Sequence, residues 1–264
     1  MIAGIIGCGN IGTELALFID KYKCFELKYL CDIDSSNIKE LQTRLGNGQI
    51  ESSIGDLITN SELIIEVADK NAVKDILNTL DLDQQGKKLL IMSTGGIIEN
   101  LNLFNKIKNC EIYMPSGAIS GLDAIKSVSG KIKSLTLTTT KPVKGLENAP
   151  YLIKNNINIT KLENKKIIFE GTLKEAIEGF PKNINVAATL FLASKFDKIQ
   201  IKIIADPKAK TNIHEIICTG DFGTITTKTD NLPSKNPKTS YLAVLSAIQT
   251  LRNIKNNKKL VLNH

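Results

Sequence analysis

A glycine loop close to the N-terminus constrains the fold of this chain more than any other segment. An apolar hexapeptide ends at Gly7, and Gly9 and Gly12 complete a G-x-G-x-x-G pattern. Apolar residues then recur at helical spacing from Asn10 to Asp20. Strand, glycine turn and helix in this order are what a dinucleotide-binding βαβ unit requires. The glycines would allow a tight turn, a close approach to a pyrophosphate, and packing of the helix on the strand.

An acidic residue at the expected distance also favours a bound dinucleotide. A second strand-like run, residues 25–31, ends just before Asp32, which is twenty residues after Gly12. A carboxylate there typically contacts the adenosine ribose and disfavours a 2′-phosphate, and the N-terminus of the helix offers free N–H groups to phosphate. We therefore predict NAD as the cofactor, with NADP possible, bound by Gly7, Gly9, Asn10, Ile11, Gly12 and Asp32. The alternative is a βαβ unit that needs its glycines only for packing.

Composition argues against several other classes of protein. The 264 residues are 42% apolar, enough for one large or two modest domains. No apolar run approaches the roughly 20 residues of a membrane span, and the chain enters a strand without a signal peptide, so we expect a cytoplasmic protein with no membrane partner. The net charge of +7 comes from dispersed lysines with few aromatic residues, which does not indicate nucleic-acid binding. Five scattered cysteines without a C-x-x-C pair predict reduced thiols and no metal site.

The pattern of strands and helices changes near residue 115. Residues 1–114 alternate strands and helices, which predicts an α/β Rossmann domain with a doubly wound parallel sheet. Residues 115–238 contain longer, β-branched strands and a Gly220-Asp221 hairpin signal, which predict a second, α+β substrate domain with an antiparallel or mixed sheet. Residues 239–264 include an apolar-faced helix that we expect to pack back on the first domain.

Three helices carry more specific expectations. We expect Ser35 to cap a helix over residues 35–45 and a single helix to cover residues 97–108. A third helix begins near residue 185, and either Asn183 or Asn185 could cap it. Either amide could instead bind the nicotinamide end of a cofactor.

Histidine is scarce, which makes His214 the first candidate for proton transfer. The only other histidine, His264, is the last residue. His214 alternates with Ile213 in a strand-like run, so we expect its side chain to point opposite to its apolar neighbours. An imidazole is well suited to move protons near neutral pH. A lone histidine on a strand is also often structural, and both interpretations stay open.

The segments taken together make the chain resemble the NAD(P)-dependent L-aspartate dehydrogenases. The resemblance covers almost the whole sequence. It rests on GIIGCGNIG (4–12), MPSGAISGLDAI (114–125), residues 171–193, Ala205-Asp206-Pro207, NIHEI (212–216) and residues 231–248. It implies a homodimer that oxidatively deaminates L-aspartate to iminoaspartate, a compound that can hydrolyse to oxaloacetate and ammonia or feed NAD biosynthesis.

The same resemblance assigns roles to residues of the second domain. It places the active-site histidine at His214 and further cofactor contacts at Ala118 and Asn185, with Asn183 as the poorer match. Relatives often carry Arg-Lys-Pro where residues 140–142 of this chain read Thr-Lys-Pro. A lysine alone would hold a carboxylate as a point charge without the bidentate fork of arginine, so the residues that hold the substrate carboxylates stay open.

Two other functions are compatible with the first domain. One is a related dehydrogenase or reductase that acts on homoserine, dihydrodipicolinate or a sugar. The other is a protein that binds NAD without turning it over. An assay with several amino acids would separate these possibilities.

Overall fold

The computed structural model describes residues 1–46, 48–81, 85–181, 184–234 and 240–256. These residues form two compact units. One contains Met1–Pro115 together with the final helix from Val244 onward, and the other contains Ser116–Ala243. Asn183, residues 235–239 and His264, for which the sequence carries expectations, lie outside the described residues, as do all the other residues after 256.

The first unit alternates strands and helices along the chain. Its elements are β1 (Ile2–Ile6), α1 (Asn10–Tyr22), β2 (Glu26–Cys31), α2 (Ser35–Leu45), β3 (Ile50–Glu51), α3 (Ile54–Asn60), β4 (Leu63–Glu66), α4 (Lys70–Asp81), β5 (Lys87–Ile91), α5 (Thr94–Glu99), α6 (Leu101–Phe104) and β6 (Cys110–Tyr113). The strand order is β3-β2-β1-β4-β5-β6, and the paired strands are parallel. The strand order therefore reverses between β1 and β4, where such sheets bind ligands. The predicted doubly wound parallel sheet is confirmed.

The second unit is built on a mixed sheet. Its elements are α7 (Leu122–Ser127), β7 (Ile132–Pro142), a 3-10 turn (Val143–Gly145), α8 (Pro150–Lys154), β8 (Lys166–Thr172), α9 (Leu173–Gly179), α10 (Asn185–Ser194), β9 (Gln200–Asp206), β10 (Asn212–Gly220) and β11 (Gly223–Asn231). The order is β11-β10-β7-β9-β8, with β7 and β9 parallel and the other pairs antiparallel. The predicted α+β unit is confirmed. The chain then continues into α11 (Tyr241–Lys255).

Each unit has its own apolar core. In the first unit, strand residues such as Ile5 pack with Leu15 of α1 and with Leu251 of α11. In the second unit, Leu137 of β7 packs with Leu190 of α10 in a cluster that also includes residues of α9. One face of the mixed sheet is therefore covered by helices. None of the described helices is long and apolar enough to cross a membrane.

Two local predictions in the first unit were wrong. The N-cap of α2 is Asp34, whose carboxylate accepts the N–H of Ser36 at 2.9 Å, because Asp34 is extended and Ser35 is already helical. The helix expected over residues 97–108 is interrupted at Asn100, where the backbone leaves the helical conformation (φ −126°, ψ 34°) between α5 and α6. The Asn100 side chain donates to the carbonyl of Gly96 at 2.9 Å and so favours the break.

Candidate functional site

The glycine loop between β1 and α1 is tightly packed at two positions and open at the third. Gly7 has a φ of 99°, a conformation that residues with side chains rarely adopt, and its N–H donates to the carbonyl of Cys31 at 2.8 Å. A Cβ on Gly12 would lie 1.9 Å from the carbonyl oxygen of Gly7. Gly9 is exposed, and a Cβ there would meet nothing within 4 Å. Of the three glycines in the loop, only Gly9 has free space beside its backbone.

The start of α1 fits a phosphate group. Gly9 is the N-cap residue and provides no side-chain cap, while Asn10 and Ile11 are the first two residues of a 13-residue helix. The N–H groups of a first helical turn and the positive end of the helix dipole attract an anion. Together with the open space at Gly9, this arrangement fits the pyrophosphate of a dinucleotide.

Asp32 is held directly beside the glycine loop. Its Oδ2 accepts the N–H of Cys8 at 2.6 Å, and its Oδ1 accepts the N–H of Asp34 at 2.9 Å and Nδ2 of Asn37 at 3.3 Å. Burial, and secondarily the charge of Asp32, raises the pKa of the Cys8 thiol to about 12. The carboxylate that the sequence predicts for the ribose thus also fixes the backbone of the loop.

A fully buried carboxylate at the end of β4 was missed by sequence reasoning. Glu66 Oε1 accepts the N–H of Ala68 at 2.9 Å and the hydroxyl of Ser93 at 2.7 Å, while Oε2 accepts the N–H groups of Ser93 and Met92 at 2.9 and 3.2 Å. Burial raises the pKa of Glu66, and these hydrogen bonds oppose the rise. Because a Cβ on Gly7 would lie 2.6 Å from the Ala68 nitrogen, Glu66 fixes the segment that packs against the glycine loop.

In the second unit, polar residues occupy one end of the helix-covered sheet face. Residues that pair across strands share a face, and His214 pairs with Thr139 on β7 and with Thr229 on β11. The neighbouring pair, Ile216 and Leu137, belongs to the apolar core. We call the polar group beyond it the polar end; it comprises Thr139, Lys141, Asn212, His214, Thr229 and Asn231.

His214 is a buried, neutral base in this group. The residue is 3% exposed, and its Nδ1 lies 3.0 Å from the hydroxyl oxygen of Thr139. Burial, with a smaller contribution from the charge of Lys141, lowers the pKa of His214 to about 3. Among the described residues, only Thr139 hydrogen-bonds the ring, which leaves Nε2 for other chemistry.

The expected orientation of His214 needs a correction. The side chain does point opposite to Ile213, but it shares its face with Ile216 and Cys218, which are fully buried. The strand-like pattern gave the alternation correctly. It could not show which of the two faces the helices cover.

Lys141 lies on the same face as His214. It is two residues beyond Thr139 on β7, pairs with Ala205, and is 5% exposed. Burial lowers the pKa of Lys141 to about 8. Thr140, the first residue of the Thr-Lys-Pro triplet, pairs with Ile213 and therefore lies on the opposite face. The cation on the His214 face is thus supplied by Lys141, and residue 140 does not belong to that face.

The structure brings Ala118 to the polar end. Its carbonyl oxygen accepts the hydroxyl of Thr229 at 2.7 Å and Nδ2 of Asn231 at 3.1 Å. Thr229 is also the residue that pairs with His214. Two predicted site residues, Ala118 and His214, are therefore both next to Thr229.

Asn185 has a different setting. It is exposed and is the first residue of α10, whose N-cap is Ile184 without a side-chain cap hydrogen bond. The expectation that Asn185 could cap this helix was wrong, because the helix begins at Asn185 itself. Asn185 thus belongs to a different element from Ala118 and His214.

The chain joins a Rossmann sheet, with a glycine loop after its first strand, to an α+β unit with a buried histidine. This combination is typical of the class of two-domain dinucleotide-dependent dehydrogenases. Comparisons with protein families agree with this class. The family model described as "Homoserine dehydrogenase, NAD binding domain" matches residues 7–111, and the model described as "Aspartate dehydrogenase, C-terminal" matches residues 123–254. Relatives named L-aspartate dehydrogenase include one from Methanosarcina acetivorans, which is 43% identical over 96% of each chain, and one from Nitrosopumilus maritimus, 37% identical over 94% of each. The chain belongs to the aspartate dehydrogenase family, as its sequence predicts.

Solved structures agree in fold. The crystal structure of aspartate dehydrogenase from Thermotoga maritima is similar with a TM-score of 0.76 at 28% identity, over 100% of this chain and 99% of that one. A scyllo-inositol dehydrogenase from Lactobacillus casei, crystallised with NAD(H) and scyllo-inositol, has a TM-score of 0.53 at 13% identity, over 99% and 91% of the two chains. The second likeness concerns the fold alone.

Proposed function

We propose that this chain is an NAD-dependent dehydrogenase that oxidises L-aspartate to iminoaspartate, which is then hydrolysed to oxaloacetate and ammonia. The observation that carries the proposal is the polar end, where a buried neutral imidazole and a buried lysine share one sheet face. An amino dicarboxylate needs a group that accepts a proton and a cation that receives a carboxylate. His214 and Lys141 are of those two kinds.

His214 acts as the proton acceptor in this proposal. The substrate amine must lose a proton before hydride can leave the neighbouring carbon, and NAD, when bound, supplies the hydride acceptor. With its pKa lowered to about 3 in the free protein, His214 is unprotonated at neutral pH. It takes that proton, or one from the attacking water, at Nε2 once a bound substrate carboxylate raises its pKa. General-base roles of this kind contribute roughly 10²–10⁴ in rate.

Lys141 receives a substrate carboxylate and thereby changes the basicity of His214. In the free protein, the charge of Lys141 helps to lower the pKa of His214. A carboxylate bound to Lys141 offsets this charge, so His214 becomes the better base when a dicarboxylate is present. Preference for aspartate over alanine then follows from binding and from proton transfer together.

The dinucleotide is held by the glycine loop and Asp32. The proposed contacts are Gly7, Gly9, Asn10, Ile11, Gly12 and Asp32 in the first unit, with Ala118 and Asn185 in the second. NAD is preferred to NADP because the Asp32 carboxylate lies beside the loop and would repel a 2′-phosphate.

The cellular compartment, the oligomeric state and the fate of the product belong to the same proposal. We propose a cytoplasmic homodimer whose product iminoaspartate is available for pyridine nucleotide synthesis. The family resemblance supports the homodimer and the use of iminoaspartate for pyridine nucleotide synthesis. On the sheet face opposite the helices, Ile217 is 47% exposed, and contact with a second copy would bury this side chain.

A steady-state assay with L-aspartate, L-glutamate, L-alanine and homoserine, each with NAD and with NADP, tests the proposal. L-Aspartate with NAD should give the highest kcat/KM. Faster oxidation of homoserine would make this chain a related dehydrogenase, and tight NADH binding without turnover would make it a nucleotide-binding protein. Equal or better turnover with NADP would contradict the role given to Asp32.

A further inference from the structure

The hydroxyl of Thr139 is the group that holds the imidazole ring of His214. The two residues are directly opposite each other on β7 and β10, and the Oγ1–Nδ1 distance is 3.0 Å. Thr139 is 6% exposed and His214 is 3% exposed, so water has little access to compete for this hydrogen bond. Because the strand register fixes both backbones, the contact is built into the sheet.

A threonine hydroxyl can either donate to Nδ1 or accept from it, and the two arrangements have opposite chemical consequences. If the hydroxyl donates, the ring hydrogen is on Nε2, and the only nitrogen free to meet a substrate cannot accept a proton. If the hydroxyl accepts, the hydrogen is on Nδ1 and Nε2 carries a lone pair. The direction of this one hydrogen bond therefore decides whether His214 can be a base.

We propose that Thr139 is a positioning residue that holds His214 in the tautomer with its hydrogen on Nδ1, so that Nε2 accepts the substrate proton. The inference rests on the proposed function, in which His214 is the base. When Nε2 takes the proton, the ring carries a hydrogen on both nitrogens. The Thr139 oxygen then keeps the same hydrogen bond, now donated by a charged ring, and no side chain has to turn.

Three threonine variants separate the effect of the Thr139 hydroxyl from the effect of the shape of its side chain. Thr139→Val removes the hydroxyl and keeps the branched side chain, whereas Thr139→Ser keeps the hydroxyl. Thr138→Val is the matched control, because Thr138 is the next residue on the strand, pairs with Glu215 and lies on the opposite face. Loss of a hydrogen bond to a charged ring predicts that Thr139→Val lowers kcat roughly 10- to 100-fold, while Thr139→Ser and Thr138→Val stay within about 2-fold of the unsubstituted chain. The affinity for NADH should not change in any of them.

The tautomer can be read directly by ¹⁵N NMR on histidine-labelled protein. The chain has only two histidines, and a His264→Gln variant assigns both. We expect a protonated Nδ1 and an unprotonated Nε2 for His214 in the unsubstituted chain and in Thr139→Ser. In Thr139→Val the hydrogen should shift toward Nε2. A change in fold alone would not produce this signature together with rescue by serine.

Three results would overturn the proposal. The first is a protonated Nε2 in the unsubstituted chain, which needs no variant to fold. The second is an unchanged tautomer in Thr139→Val, and the third is a Thr139→Ser variant as slow as Thr139→Val. If the unsubstituted chain binds NADH but does not oxidise L-aspartate, the proposed function fails instead, and the NMR result still decides the tautomer.

Discussion

The carboxyl edge of the parallel sheet and the polar end of the mixed sheet organise polar groups in opposite ways. At the first, backbone N–H groups bind the carboxylates of Asp32 and Glu66, and the glycine loop is packed too tightly at Gly7 and Gly12 to admit side chains. At the second, the polar groups belong to side chains, and burial lowers the pKa values of His214 and Lys141. A site made of backbone depends on local turn geometry, whereas a site made of buried side chains depends on strand register.

The difference also affects stability. Glu66 accepts four hydrogen bonds, which offset the cost of burying a carboxylate. Burial lowers the pKa of Lys141 and of His214, so both residues lose part of the stabilisation of their charged forms that water would give. The second unit therefore loses some stability at the two groups to which we assign the chemistry, a common compromise at functional sites.

The largest effect is expected at His214. If the polar end works through this side chain, His214→Ala should lower kcat with L-aspartate by roughly 100-fold or more, because the proton acceptor is lost. NADH affinity, measured by fluorescence titration, should stay unchanged because the first unit is untouched. Glu215→Gln is the control, since Glu215 lies on the opposite face and pairs with Lys228 at 3.5 Å. Near-normal turnover in His214→Ala would remove the imidazole from the mechanism.

The same residue gives a pH signature in stability. The unfolded chain binds a proton at His214 below its ordinary pKa of about 6.5, whereas the folded chain does so only near pH 3. The unfolded state therefore holds more protons in this window, and the contribution of His214 to stability falls as pH drops from about 6.5 toward 3. Urea unfolding at several pH values should show a smaller acid loss in His214→Gln than in the unsubstituted chain. An identical acid loss would contradict the buried, neutral state.

The next effect concerns Lys141. Removing one partner of a buried charge pair typically weakens binding strongly, so Lys141→Met should raise the KM for L-aspartate by about 100-fold. Lys141→Arg keeps the charge and should recover part of the binding. A KM that is unchanged in Lys141→Met would show that another group receives the carboxylate.

The sequence predicts the region built from backbone turns better than the region built from buried side chains. The glycine loop, Asp32 and the alternation of strands and helices are local signals, and they predicted the first sheet correctly. Short elements such as β3 (Ile50–Glu51) and α8 (Pro150–Lys154) carry too few residues for a periodic pattern, and the prediction omitted them. The N-cap of α2 was displaced by one residue, because Asp34 and Ser35 both have side chains that can cap.

The residues that sequence reasoning missed or left open at the two sites each left a faint signal. Thr139 and Lys141 follow Leu135 and Leu137 at every second position, so alternation already places all four on one face. Which face the helices cover depends on pairing with β10, and the sequence does not give that register. Glu66 interrupts an apolar run, and a buried acid in such a run requires donors from elsewhere in the fold. Ala68, two residues on, supplies one donor, and the others come from Met92 and Ser93, which are 26 and 27 positions away.

A smaller effect is expected from the glycine loop, where two glycines serve different purposes. Gly9→Ala adds a Cβ in open space and in an allowed conformation (φ −71°), so stability should hold while NADH binding weakens roughly 10-fold. Gly12→Ala places a Cβ 1.9 Å from the Gly7 carbonyl, so stability and binding should fall together. Thermal unfolding and NADH titration of both variants separate the two roles. Equal loss of stability in the two would contradict the division between open and packed positions.

The smallest effect on activity, but a clear one on stability, is expected at Glu66. Glu66→Gln keeps the size of the side chain but replaces one acceptor oxygen with an NH₂ donor. That donor would face backbone N–H groups, which can only donate and cannot accept a hydrogen bond. Leaving such donors unpaired in the interior should lower the unfolding free energy by about 1–3 kcal/mol. NADH binding should weaken only a few-fold, through the Ala68 segment behind Gly7. Glu40→Gln on the exposed surface of α2 is the control and should have no effect on urea unfolding. If Glu66→Gln unfolds at the same urea concentration as the control, the backbone donors do not depend on this carboxylate, and the contrast between the two regions loses its energetic basis.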